Sequence, residues 1–363
     1  MAYQKLENIG GPDDVLAKIR DFVVAHGWTV LENLTTDLSI DGSGESDGLR
    51  LVIQHGDIIA HFRSANGKAI FQSQLNTDHA YGIGLVCSTE YTAIPPSGKW
   101  YDQTGATAHT SGQVIGVGIP VKPNSGYNLY LNMVDEMEVM LVISLEITTG
   151  VFQHLAVGTA QKIGSWTGGT LYSGSRNSYY MFTASETYDP TTIETESNPL
   201  FGMSRYASTF LRADIDAAPQ RLPAVLWASA GADLPDIKYG YTGKILGLPV
   251  KKQDILTENW DPKIPHYAYL QSQTVTDSGR NVNTLNCISV NLPLALYVQR
   301  DPDGLRNFSQ CGYAPGTYFV SLFNMAPGQV YEISYPQSGQ LHQVFPFTRR
   351  TGIYGYDGFS VKQ

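Results

Sequence analysis

From Tyr127 to Asn132 the chain alternates strictly with a period of two, and apolar strands follow it as far as Ala160. Tyr127, Leu129 and Leu131 alternate with Asn128, Tyr130 and Asn132, and Asp135-Glu136 makes a turn. Val139, Leu141, Ile143, Leu145 and Ile147 then mark a long strand, Thr148-Thr149-Gly150 ends it, and another strand runs from Val151 to Ala160. Successive side chains of a strand point to opposite faces, so such a pattern commits the segment to antiparallel strands joined by tight turns. A chain with this segment at its centre is built around a sheet.

The rest of the sequence agrees. Charged residues make up only 16% of the chain, against 36 Gly, 19 Pro, 22 Tyr and 13 Phe. That balance suits many short strands and turns better than long solvated helices. One helix is expected, from Pro12 to His26, with Pro12 at its first position, Asp13 and Asp14 in its first turn and Gly27 beyond its end. Its apolar residues Val15, Leu16, Ile19, Phe22 and Val23 share one face, which should dock on a sheet. That sheet is expected to begin with Leu49, Leu51 and Ile53, to turn at His55-Gly56-Asp57 and to return through Ile58 to Arg63. Ser64-Ala65-Asn66-Gly67 then reads as a hairpin turn into Ala69 to Phe71, because Asn-Gly tolerates positive φ. A further strand is expected from Tyr81 to Glu90.

Residues 92–126, rich in Pro, Gly, Ser and Thr, show no periodicity and read as a long surface loop, an arm or a contact region. Residues 187–199 are acidic, lack a hydrophobic pattern and carry two prolines, which places a boundary or exposed crossover there. The expected organisation is therefore a domain of helix and β-meander over 1–186 and a β-rich domain over 200–363. In the latter, short apolar runs at 287–298, 317–323, 330–335 and 341–347 are separated by turn chemistry such as Ala326-Pro327-Gly328, as in a β-sandwich or barrel. The fold class is mainly β, α+β in detail.

Composition also narrows function. Lys plus Arg is 24, Asp plus Glu is 33 and the net charge is −9. No basic stripe interleaves with aromatics, so nucleic acid is not an expected partner. Cys87, Cys287 and Cys311 are odd in number and widely spaced, which gives neither a disulfide framework nor a metal knuckle and suits buried thiols in a reducing cytoplasm. No secretory signal opens the sequence, and the run from Val139 to Leu145 is too short to cross a bilayer as a helix, so membrane insertion is not expected.

Three stretches resemble recurring patterns in virion structural proteins of tailed bacteriophages. These are the opening helix with Gly27-Trp28-Thr29-Val30 and LRLVIQHGDIIAHFRSA; the segment from YNLYLNMVDEMEVMLVISLEITTGVFQHLAVG to the loop SWTGGTLYSGS; and the closing HQVFPFTRRTGIYGYDGFSVKQ. The resemblance implies assembly into a symmetric particle, with partners that are other copies of the chain and other virion proteins, and it carries no catalytic residues. A tail or baseplate component is the leading expectation. Alternatives are a receptor-binding tail protein that contacts a host surface glycan, a head decoration or neck collar protein, and a glycan depolymerase.

The polar clusters of the sequence each admit a plainer role than a site. His55, Asp57 and His61 are of metal-ligand type but suit a polar hairpin tip. Asp41, Glu45 and Asp47 alternate as at the start of a calcium loop, yet Ser46 and Val52 stand where an EF-hand needs Gly and Glu, so a linker fits better. The Gly-x-Ser-x-Gly match at Gly44 to Gly48 falls in this same polar linker, not between an apolar strand and a helix, so it is no nucleophile elbow. Asp214 with Asp216 and Glu194 with Glu196 are acid pairs of the kind glycosidases use, and are common by chance. Neither a catalytic residue nor a cofactor or metal site is expected. The candidate contacts, to subunits or to glycan, are Trp100, Tyr101, Trp166, Tyr172, Tyr179 and Tyr180, because aromatics on Gly-rich loops offer contact area at little entropic cost. Trp100 in particular is expected to be buried against a neighbouring subunit.

Overall fold

A computed structural model describes residues 1–36, 48–68, 78–95, 99–106, 117–121, 123, 126–174, 200, 202–203, 209–215, 218–220, 227–228, 291–299, 308–322, 325–333, 339–346 and 357–363. Their elements, in chain order, are β1 (Ala2–Ile9), α1 (Pro12–Ala25), β2 (Thr29–Thr36), β3 (Leu49–His55), β4 (Ile58–Lys68), β5 (Asp78–Ser88) and β6 (Val117–Pro120). The central run follows as β7 (Tyr127–Asp135), β8 (Val139–Thr148), β9 (Val151–Thr159), β10 (Gln161–Lys162) and β11 (Thr167–Gly174). Beyond it lie β12 (Gly202–Met203), β13 (Thr209–Ile215), β14 (Ala218–Gln220), β15 (Trp227–Ala228), β16 (Leu292–Gln299), β17 (Phe308–Ser321), β18 (Val330–Ile333), β19 (Gln340–Pro346) and β20 (Asp357–Lys362). The fold is mainly β, and no described helix is long and apolar enough to cross a membrane.

Three sheets are stacked. The first, order β2-β3-β4-β5-β6, packs one face on the central sheet, order β1-β7-β8-β9-β11-β13-β14, whose other face meets a sheet of order β10-β17-β20-β19-β18, with β16 on the far edge of β17. Burial on both faces explains why β8 reads as an almost continuous apolar run. Val139, Leu141, Ile143, Leu145 and Ile147 enter the core shared with the first sheet, while Met140, Val142 and Ser144 are equally buried on the opposite face. Packing this close also demands a glycine in β9. A Cβ on Gly158 would lie 2.2 Å from the Val139 carbonyl oxygen and 2.8 Å from Met140 Cα, both backbone. Gly158→Ala should therefore cost about 2 kcal/mol or more in a denaturant titration.

The helix forms where expected. Its first turn is held by the Gly10 N–H, which donates to Asp14 Oδ2 at 3.0 Å. Its end is a Schellman motif, with Gly27 at φ 84° and the Trp28 N–H donating to Val23 O at 3.0 Å. Val15, Leu16, Ile19, Phe22 and Val23 are buried in the core between the first and central sheets. Ser64 ties the helix to the first sheet, its hydroxyl donating to Asp13 Oδ1 and accepting from the Leu49 N–H.

Three expectations are corrected. Ser64 to Gly67 is no turn: β4 continues through it, pairing Asn66 with Tyr81 and Gly67 with Ala80, since Asn-Gly permits positive φ without requiring it. Residues 92–126 contain β6 and an ordered cover over the first sheet, described below. The division at 187–199 does not separate two sheets. β13 pairs with β11 from Thr167↔Asp214 to Ser173↔Thr209, and β10 pairs with β17 through Gln161↔Tyr313. Strands from both halves complete one another, because backbone pairing ignores the composition break. Residues 187–199 themselves lie outside the described residues.

Candidate functional site

The outer face of the first sheet is unusual for a buried surface. Alternation along β3 and β4 puts Leu51, Ile53, Ala60 and Phe62 into the core, which leaves Arg50, Val52, Ile59, His61 and Arg63 on the other side. All five are buried there, with Arg50 and Arg63 as cross-strand neighbours. Burying guanidinium groups requires partners. Arg50 Nη2 lies 2.9 Å from Glu32 Oε2, and its Nη1 donates to Ala93 O at 3.1 Å. Tyr91 also donates to Glu32, at 3.1 Å. The segment that follows β5 thus folds back as a cover. Gln103 fastens it internally, accepting from the Thr92 N–H and donating to Thr92 O and Trp100 O, while Arg212 of β13 donates to Gly105 O at 2.7 Å.

Beneath this cover His61 Nε2 lies 2.7 Å from Ser88 Oγ. The Ser88 hydroxyl itself donates to Glu90 O at 2.8 Å, so the imidazole N–H donates to the serine. A general base would have to accept from that hydroxyl, so the pair is not poised for nucleophilic attack. Burial, then the nearby Arg50 charge, holds the His61 pKa down to about 3. His55 sits against the Trp28 ring and Asp57 is exposed at the turn, so the three metal-type residues do not form one cluster. Among the described residues no group of three His, Cys, Asp or Glu is placed to hold a metal ion.

The aromatic candidates separate into different roles. Trp100 is fully buried within the chain and Tyr101 nearly so, their rings 5.8 Å apart edge to face. Neither offers a surface to a subunit or a glycan, which corrects the expectation that Trp100 anchors an intermolecular contact. Tyr172 is likewise core, stacked on Phe210 with centroids 4.9 Å apart. Tyr179, Tyr180, Asp41, Glu45, Asp47, Glu194, Glu196 and Asp216 lie outside the described residues.

Trp166 alone of the described candidates stays partly exposed. It stands on a short excursion between β9 and β11 that leaves the central sheet, pairs through β10 with β17 and returns. Its indole N–H donates to Ile163 O at 3.2 Å and to Cys311 O at 3.0 Å, and Lys162 Nζ lies 5.0 Å from its ring centroid. The excursion leaves Ile163 exposed as well. Trp166→Ala should cost only about 1–2 kcal/mol of stability in a thermal melt, the scale of a shared hydrogen bond and a surface cation–π contact.

No protein-family model and no curated protein matches the chain.

The groups that sequence reading passed over lie between the central and third sheets. There His154 reaches a residue 192 positions away, its Nε2–H donating to Pro346 O at 2.9 Å while Nδ1 accepts from the Ser144 hydroxyl at 2.8 Å. Phe152 stacks parallel to its ring, and Phe345 and Phe359 meet it edge-on. Desolvation holds its pKa down to about 3, against a weaker opposing effect of the Pro346 carbonyl. On the third sheet, burial and then Lys362 hold His342 at about 4. Burial likewise raises the thiol pKa of Cys87, and that of Cys311 to about 12, so both are poor nucleophiles. The one signal was the placing of Phe152 and His154 two apart on an apolar strand, which marks a face without naming what covers it.

Proposed function

We propose that the chain is a structural component of a tailed-phage particle, in its tail or baseplate, whose work is to hold shape and make contacts. Sequence resemblance motivates this reading. The observation that carries it is that the histidines and thiols enclosed by the sheets are committed to packing and hydrogen bonding. His61 and His154 are buried hydrogen-bonding groups, and Cys87 and Cys311 are buried thiols of raised pKa. Three stacked sheets give a rigid body, and the excursion carrying Ile163 and Trp166 gives it a protruding edge. Partners on this reading are other copies of the chain and neighbouring virion proteins.

The test is quantitative mass spectrometry of purified particles. The reading expects the protein in fixed copy number relative to a major structural protein, with antibody labelling at the tail. Absence from washed particles sinks it.

A further inference from the structure

The third sheet is held to the rest of the molecule unevenly. One end is clasped by the excursion from the central sheet. There β10 pairs Gln161 with Tyr313 and Lys162 with Gly312, and Cys311 O accepts from both the Ile163 N–H and the Trp166 indole N–H. A Cβ on Gly312 would lie 2.3 Å from Gln161 O, so the two backbones are in close contact. Beyond this clasp β16 and β17 lead on into the sheet, and their pairing is interrupted. It runs Leu296↔Gly312 and Ala295↔Tyr313, then resumes only at Pro293↔Tyr318. Over that step β17 sets Ala314 to Thr317 against Leu294 alone of β16. The surplus is taken up in a kink, where Pro315 has no N–H to give a ladder, Gly316 adopts φ 57° and Thr317 Oγ1 donates back to Ala314 O at 3.0 Å.

Past the kink, the sheet meets the central sheet through contacts unlike those of the main core. β7 and β8 turn Leu129, Leu131, Leu141, Ile143 and Leu145 toward the first sheet. Toward the third they turn Asn132 and Ser144 as well as Tyr130, Met140 and Val142, all buried, and β19 answers with Gln343 beside Phe345. Three polar contacts cross the gap: His154 Nε2–H to Pro346 O, Gln363 Nε2 to Asn132 Oδ1 at 2.7 Å, and Lys362 to Glu136 at 2.6 Å. The match is incomplete, since Asn132 Nδ2 and Gln343 Oε1 are buried without a hydrogen-bond partner. Unpaired buried groups favour any state in which water reaches them, and contact faces that part from one another are more polar than a core.

We propose that the far part of the third sheet, residues 317–321 with β18, β19 and β20, is a lid that opens from the central sheet as a unit about Ala314 to Gly316, while β10 keeps its grip on the near part of β17. Asn291, which donates to Ser360 Oγ at 2.8 Å, marks the end of β16 that travels with the lid. Opening uncovers Phe152 and His154 on the central sheet and Phe345 and Phe359 on the lid. The lid does not depend on the particle reading, and its test leaves that reading untouched. Hydrogen exchange of the full native chain, followed by mass spectrometry, compares peptides from the lid, the clasp and the central sheet. Lid amides should exchange together, at least about ten-fold faster after correction for intrinsic rates than those of 310–313 and β8. Gly316→Ala puts a side chain at positive φ and within 2.6 Å of both Val134 Cγ atoms, so it should speed the lid by a further factor of about ten while β3, β4 and β8 keep the wild-type rate. Should that variant fail to fold, the wild-type comparison decides alone. Lid amides no faster than β8 overturn the proposal, as does a folded Gly316→Ala chain in which lid and β8 change equally or not at all.

Discussion

Replacing Trp100 with alanine will destabilise the isolated chain by about 3–5 kcal/mol, the usual cost of removing a buried indole. Trp100 is fully enclosed, and its own carbonyl accepts from Gln103, the residue that fastens the cover. Its loss opens a cavity and loosens the segment that supplies Ala93 O to Arg50 and Tyr91 to Glu32. The cost therefore extends to a buried guanidinium that would lose a partner. Chemical denaturation of the purified variant reads this directly. An unchanged midpoint, with loss appearing only as poor incorporation into particles, would show instead that Trp100 acts between subunits.

Mild acid will destabilise the protein through its buried histidines. His61 and His154 are held at about 3 and His342 at about 4, against 6.5 for an ordinary imidazole. Folded pKa values below the unfolded value mean that the unfolded chain binds protons first. The stability these rings contribute is thus complete above pH 6.5 and is lost as pH falls toward 4 or 3. The slope approaches about 1.4 kcal/mol per pH unit for each ring. Desolvation is the main cause at all three rings; the Arg50 charge adds to it at His61 and the Lys362 charge at His342, whereas the hydrogen bond to Pro346 O works against it at His154. Unfolding free energies measured between neutral pH and mild acid should show this fall, and His154→Phe should flatten it while lowering stability at neutral pH by stranding Ser144 and Pro346 O. A profile with no fall below neutrality would refute the inward placement of these rings.

How far the sequence foretold the structure depended on whether a strand's pattern reported its surroundings. The helix and β7 to β9 were legible because caps, turns and alternation are local. β1 was not, since it is an edge strand whose side chains Tyr3, Gln4, Lys5 and Glu7 are exposed and show no apolar period. β2 was hidden by two register irregularities, after Val30 and after Asn33, with Leu34 at φ 49° in the second, which break a two-residue rhythm. The role of Trp100 was misread because its segment has no period of its own. What orders it is the outer face of β3 and β4, and the mixed pattern of Arg50, Val52, Ile59, His61 and Arg63 does not say whether water or protein lies above. Trp166 was legible as an exposed aromatic on a glycine-rich loop, but not that its N–H is committed to the backbone of Cys311, 145 residues away. Composition suggested a boundary at 187–199, and no local signal could show that β13 crosses it to join β11.

That crossing governs how the chain can be made. The central sheet acquires β13 only after residue 209, and the strands that roof its outer face, β17, β19 and β20, emerge last. Contacts of such long sequence separation form slowly, since their loop-closure entropy is met before any burial repays it. During synthesis Phe152 and His154 must therefore wait, beside Met140 and Val142, on an apolar sheet surface with nothing yet to cover it. Such nascent chains are prone to stick to one another, so the yield of soluble protein should depend on chaperone supply and on growth temperature.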